Sequence, residues 1–363
     1  MKILIIANND SGLFFFRKEL IIELLKNNDV ILAAPYGDLI KPLEDLGCKF
    51  INTNVDRRGM NPIKDIALYV KYKAILNKEK PDYVITYTIK PNVYGGFAAR
   101  RKKIKYAVNI TGLGSAFQVE NIIKRIVTFL YKLSCKDADV VFFENEENRQ
   151  IFVNEGIVDE KNTHCLNGAG VNLDKFSVLE YPINSVAQFL FIGRVMKEKG
   201  IEELISSIRR LVKEGEKVQL SILGSYENDY KSMIEKCENE GWLKYYGFQN
   251  DVIPYIKRCD CFVLPSWHEG MANTNLECAA SGRPIITTRI HGCMEAVVED
   301  VSGFLVEKKN ENSLYEAMKK FLALTREEKM KMGLCGRKHM EEKFDKKKVV
   351  QDTINSLNKS QSV

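Results

Sequence analysis

A chain of 363 residues exceeds the roughly 250–300 at which one hydrophobic core stops growing, so two domains are expected. Its 45% hydrophobic and 28% charged content excludes both a disordered chain and a coiled coil. Apolar runs such as Ile3 to Ala7 and Cys261 to Pro265 are far shorter than the about 20 residues that span a bilayer, which excludes a transmembrane helix.

The net charge of +6 is unevenly spread. Residues 57–136 hold 17 Lys and Arg against 4 Asp and Glu, and the remainder is net negative. An anionic ligand or surface is implied for that region; no nucleic-acid partner is expected. The N-terminus runs from Ile3-Leu-Ile-Ile-Ala7 straight into Asn8-Asn-Asp10, which suits a first buried strand rather than a secretory signal and places the protein in the cytoplasm. Nine cysteines without Cys-x-x-Cys spacing read as reduced thiols, and no metal site is expected at Cys259 and Cys261.

In chain order, short apolar runs alternate with amphipathic stretches of helical length. Strands are predicted at Ile3 to Ala7, Val30 to Ala34, Tyr83 to Thr86, Tyr106 to Asn109 and Val140 to Phe143. These runs are nearly continuous rather than alternating, as in parallel sheets with helices on both faces. Gly168, Gly170 and Pro182 then break the pattern, which predicts a linker over 167–185. The rhythm restarts with strands at Phe189 to Gly193, Gln219 to Leu223, Cys261 to Leu264, Pro284 to Thr288 and Phe304 to Val306. The fold class is α/β with two Rossmann-like βαβ domains, 1–175 and 186–345. A terminal helix over 346–363 is open to a return to the first domain.

Ligands of such folds bind outside the carboxyl ends of the strands. The first such loop, Asn8 to Leu13, lacks G-x-G-x-x-G spacing, which disfavours an NAD or FAD enzyme. Gly12 fits either a plain turn or a close backbone approach to an anion at the helix start. Gly193-Arg194 with Lys199-Gly200 puts a guanidinium and an ammonium before a helix, a pattern suited to phosphate. The strand at Cys261 runs into Glu269-Gly-Met-Ala-Asn-Thr-Asn-Leu-Glu277, whose two carboxylates bracket a helix N-terminus. Thr274-Asn-Leu-Glu277 also matches a capping box, which would explain Glu277 structurally; Glu269 has no such explanation. Asp137-Ala-Asp139 sits at a helix-to-strand junction and reads as a solvated turn rather than a metal motif.

At these residues the chain resembles the retaining GT-B glycosyltransferases of family four. The resemblance rests on Phe191-Ile-Gly-Arg194, Lys199-Gly200, Leu223-Gly224, Tyr246-Gly-Phe248, the Glu-x7-Glu motif, Gly282-Arg-Pro284 and Gly303-Phe-Leu-Val306. It implies a cleft between the two domains and a UDP-sugar donor, with no cofactor and no metal. Arg194 and Lys199 would bind the donor diphosphate, Glu269 the sugar hydroxyls, and Glu277 the ribose. Gly193, Gly224 and the backbone of Gly270, Met271, Ala272 and Asn273 would complete the donor site, with Phe248 at the base.

Thr86-Tyr-Thr-Ile-Lys90 and Asn109-Ile-Thr-Gly-Leu-Gly-Ser115 resemble the branch that builds lipid-linked and capsular oligosaccharides, which includes N-acetylgalactosaminyltransferases. An undecaprenyl-diphosphate-linked or other saccharide acceptor is therefore implied, with Lys90, Thr111 and Gly112 on the acceptor side. Many members of that branch place a histidine in the loop after the first of these strands, where this chain has Ile89 and Lys90. Phe117 to Leu133, with Lys124, Arg125 and Lys132 among apolar residues, suits either an ordinary packed helix or an anionic surface at the inner face of the membrane. Two other readings use the same architecture: a sugar-nucleotide epimerase, and a non-catalytic subunit of a polysaccharide assembly complex. The second is disfavoured because Arg194, Lys199, Glu269 and Glu277 are all present.

Overall fold

The computed structural model describes residues 1–54, 61–114, 117, 122–227 and 229–361. Arg57 of the basic region, Ser115 of the glycine motif and residues 118–121 lie outside them. The chain divides into two compact units, one of residues 1–169 with 346–363 and one of residues 170–345.

The first unit holds strands β1 (Lys2–Ile6), β2 (Asp29–Ala34), β3 (Lys49–Asn52), β4 (Tyr83–Tyr87), β5 (Lys105–Ile110), β6 (Val140–Phe143) and β7 (Thr163–Cys165). They form one parallel sheet in the order β3-β2-β1-β4-β5-β6-β7. Neighbouring residues of β1 go to opposite faces, and both faces are dry: Leu4 and Ile6 join one apolar cluster, Ile3 and Ile5 another. That double burial is why these strands read as unbroken apolar runs. The terminal helix Lys346–Gln361 sends Val349 and Leu357 into the second cluster, beside Leu20 and Leu24.

The second unit repeats the plan with β8 (Ala187–Ile192), β9 (Val218–Leu223), β10 (Leu243–Tyr245), β11 (Cys261–Leu264), β12 (Ile285–Thr288) and β13 (Gly303–Val306). Their order is β10-β9-β8-β11-β12-β13, all parallel. The strand order turns at β8 and β11, the switch point at which such folds bind ligands.

Residues 170–185 belong to this unit rather than to a free linker. Phe176 and Tyr181 are buried. Arg283, fully buried, donates from its guanidinium to the carbonyls of Leu179 at 3.1 Å and Glu180 at 2.8 Å, and also to Ile256 at 2.9 Å. The polar, glycine-containing segment reads as loose, but its carbonyls are acceptors for a buried cation.

Candidate active site

Because the second sheet is parallel, the loops after β8, β9, β10, β11 and β12 all leave from one edge. Gly193 donates its N–H to Leu223 O at 2.9 Å, and Gly224 donates to Gly247 O at 2.8 Å, which draws the first three loops together. Gly224 has φ of 139°, and a Cβ there would lie 1.9 Å from Gly193 O. Only glycine permits that approach.

After β8, Lys197–Lys199 forms a single 3₁₀ turn, and Gly200 in left-handed conformation opens the helix Ile201–Lys213. A Cβ on Gly200 would fall 2.1 Å from Pro265 O, so this glycine lets the β8 loop lie against the β11 loop. Trp267 N also donates to Glu198 O at 2.9 Å. The result is an ion pair between Lys199 Nζ and Glu269 Oε1, whose side chains are only 17% and 12% exposed. The Ser266 hydroxyl donates to the same carboxylate oxygen at 2.8 Å. Arg194 is more open, at 49% side-chain exposure, and reaches Glu227 Oε1 at 3.3 Å. Each cation is thus held at the strand ends by a carboxylate.

The helix Asn273–Ala280 begins with Ala272 as its N-cap and without a side-chain cap. Ala272 O accepts from Asn275 N at 2.9 Å and from Leu276 N at 3.4 Å, and Ala272 N donates to Gly292 O at 2.7 Å. The capping-box reading of Thr274 and Glu277 is therefore overturned: the helix starts two residues earlier than that box requires, leaving Thr274 inside its first turn. Glu277 is half-buried further along the same helix, while Met271 and Ala272 are buried beneath the loop. Phe248 stands 63% exposed after β10.

The β12 loop supplies residues that sequence reasoning missed. Glu295 accepts from Gly292 N at 2.7 Å and pairs with His291 Nδ1 at 2.7 Å, fixing the backbone that holds Ala272. Ser266 and Glu227 were missed as well. All lie just beyond the carboxyl ends of recognised strands, so the carboxyl-end rule, applied to every strand, would have found them.

The first unit carries the remaining predicted residues. Gly12 opens a π-helical turn, Gly12–Phe16, and its N–H is committed to Asn9 Oδ1 at 2.6 Å. Lys90 pairs with Asp65 Oδ1 at 2.8 Å, both side chains being mostly buried. Together with Lys64 and Lys71 they line a cavity of ≈ 490 Å³. Thr111 and Gly112 follow β5, Gly112 with φ of 147°. Asp137, the first aspartate of the Asp-x-Asp pair, is tied to Arg100 Nε at 2.7 Å.

Two doubly wound units of matching strand order, one with an acid–cation cluster on its switch-point edge, give the α/β architecture of the GT-B class. Solved structures agree. The Anabaena HepE protein, determined in complex with UDP, superposes with a TM-score of 0.80 over 99% of this chain and 100% of that one at 16% identity. A glycosyltransferase from Rickettsia africae gives 0.79 over 99% and 98% at 18% identity. Residues 182–339 match the family described as "Glycosyl transferases group 1", and residues 2–145 match "Glycosyl transferase 4-like". The chain belongs to this glycosyltransferase family and is an enzyme of that kind.

Among curated relatives, it is 28% identical to the N,N'-diacetylbacillosaminyl-diphospho-undecaprenol alpha-1,3-N-acetylgalactosaminyltransferase of Campylobacter jejuni, over 92% of each chain. It is 27% identical to the capsular polysaccharide biosynthesis glycosyltransferase CapM of Staphylococcus aureus, over 88% of this chain and 87% of that one. No helix among the described residues is long and apolar enough to cross a membrane.

Proposed function

We propose that this enzyme transfers a hexose or N-acetylhexosamine from a UDP-sugar to an undecaprenyl-diphosphate-linked saccharide, with retention of anomeric configuration, in cell-surface glycan assembly. The observation that carries the reading is the Lys199–Glu269 pair on the switch-point edge, with Arg194 beside β8. The undecaprenol-linked acceptor is supported by the names of the relatives.

In the reaction, the bond from the anomeric carbon to the β-phosphate oxygen breaks. The acceptor hydroxyl oxygen bonds to the same face, and its proton passes to the departing phosphate oxygen. Arg194 and Lys199 stabilise the charge that grows on the diphosphate, an interaction stronger in the transition state than in the ground state. Glu269 accepts hydroxyl hydrogen bonds from the transferred sugar, and Glu277 holds the ribose. Gly193, Gly224 and the 270–273 backbone approach the donor, with Phe248 at its base. Lys90, Thr111 and Gly112 face the acceptor, and no metal is required by these steps. The enzyme works from the cytoplasm at the inner face of the membrane, drawn there by the basic first unit.

Incubating the purified enzyme with a panel of UDP-sugars and a membrane lipid extract, then weighing new glycolipids by mass spectrometry, tests the reading. A lipid product heavier by one sugar is expected, with UDP released. Turnover of donor to an epimeric UDP-sugar without any acceptor would replace it with the epimerase alternative.

A further inference from the structure

The helix Ile122–Cys135 carries features that transfer chemistry leaves unused. Ile122, Ile126 and Phe129 are exposed by 74%, 53% and 59%, and their i, i+4, i+7 spacing puts them on one stripe. Beside that stripe is a cavity of ≈ 280 Å³ lined by Arg125, Thr128, Phe129, Lys132, Lys124 and Glu155. Lys124 is paired with Glu155 at 3.1 Å. Among the described residues Arg125 and Lys132 have no such partner. Thr128 is 92% buried (8% exposed), yet its hydroxyl has no hydrogen-bond partner among the described residues. A buried hydroxyl left unpaired costs free energy, and here it adjoins two uncommitted cations.

A second helix of the same unit repeats the pattern. Ile63, Ile66 and Val70 of Pro62–Glu79 are exposed by 79%, 64% and 55%, again at one-face spacing. Both helices bury their other sides in the same apolar cluster, on one face of the first sheet, along with Ala98 and Ala99 of the helix Gly96–Arg101. Arg101, the last residue of that helix, and Lys102 and Lys103 after it are exposed. Two apolar stripes on one basic face fit a surface that is anionic at its headgroups and apolar beneath.

We propose that the Arg125–Thr128–Lys132 cavity is a headgroup site for the phosphate of an anionic phospholipid, and that Ile122, Ile126 and Phe129 enter the acyl boundary beside it. This rests on the membrane-face reading above but adds a defined pocket to a diffuse attraction. Arg125 and Lys132 supply charge to the phosphodiester, and the Thr128 hydroxyl donates to one of its oxygens.

The test is co-sedimentation of the full chain with phosphatidylglycerol–phosphatidylcholine vesicles free of any saccharide acceptor. Wild type is expected to bind these and not pure phosphatidylcholine. Lys132→Gln should weaken partitioning about fivefold, and Thr128→Val about threefold. Phe129→Ser should weaken it at every salt concentration. Thermal denaturation of each variant identifies any that fails to fold, and Arg125→Gln then stands in for it. Transfer to a short, water-soluble acceptor should be unchanged in all of them, which separates this site from the catalytic reading: wild type that binds vesicles without transferring sugar would sink that reading alone. The proposal is overturned if Thr128→Val and Lys132→Gln bind as wild type does. It is equally overturned if vesicles are bound only when they contain the undecaprenyl-diphosphate-linked acceptor, or if free glycerol phosphate binds and vesicles do not.

Discussion

Lys199 Nζ is ion-paired with Glu269 Oε1, across 70 residues of sequence, and Ser266 donates to that same oxygen. The pair holds a cation at the edge where a diphosphate would leave and turns a carboxylate toward the same point. Losing one preorganised electrostatic partner typically costs about 10²–10³ in turnover. Lys199→Ala and Glu269→Gln should each lower kcat by about that factor, with unchanged circular dichroism, as read by UDP release. Near-native turnover in either variant would remove the pair from the mechanism.

The start of the helix Asn273–Ala280 makes a second prediction, because Ala272 rather than Thr274 is its N-cap. Thr274→Ala should therefore change stability by less than about 0.5 kcal/mol. Thr325 provides the contrast: it caps the helix Arg326–His339 in a reciprocal box with Glu328. Thr325→Ala should cost about 1 kcal/mol. Urea denaturation of both variants decides it; a larger loss at Thr274 would restore the capping explanation for this motif.

Gly224 and Gly241 separate steric need from backbone preference. Both have positive φ, but a Cβ at Gly224 meets Gly193 O at 1.9 Å, whereas at Gly241 it meets nothing within 4 Å. Gly241→Ala should cost about 1–2 kcal/mol from backbone conformation alone. Gly224→Ala must also part the ends of β8 and β9, so its loss should exceed about 3 kcal/mol. Equal thermal shifts in the two variants would refute the steric account.

How far the sequence could be read follows from burial. The central strands were legible because helices cover both faces, leaving runs such as Ile3 to Ile6 with no polar residue. Strands β3, β7 and β10 were not foreseen: Lys49-Phe-Ile-Asn52, Thr163-His-Cys165 and Leu243-Lys-Tyr245 lie at sheet edges and keep polar, partly exposed residues. The positions of Arg194, Lys199 and Glu269 beyond strand ends were legible for a similar reason, since strand and helix patterns bound the loops. Their pairing was not. It depends on Gly200 meeting Pro265, a contact between loops that local pattern does not encode. Arg283 was equally opaque, because an arginine sealed under carbonyls has the same letter as one in water.

The last prediction concerns acid stability. Glu214, after the helix Ile201–Lys213, accepts a hydrogen bond from Tyr315 Oη at 2.5 Å and from Lys319 Nζ at 2.9 Å. These donors, Tyr315 first, stabilise the carboxylate and pull its pKa from 4.5 down to about 2. A folded pKa below the unfolded one means the unfolded chain takes up a proton first as pH falls. The contribution is therefore fully present above about pH 4.5 and is lost as pH drops toward about pH 2. Glu214→Gln cannot titrate, so its urea midpoint should fall less than the wild-type midpoint between about pH 7 and about pH 3. Parallel declines in the two proteins would show that Glu214 does not anchor the Glu311–Leu322 helix through its charge.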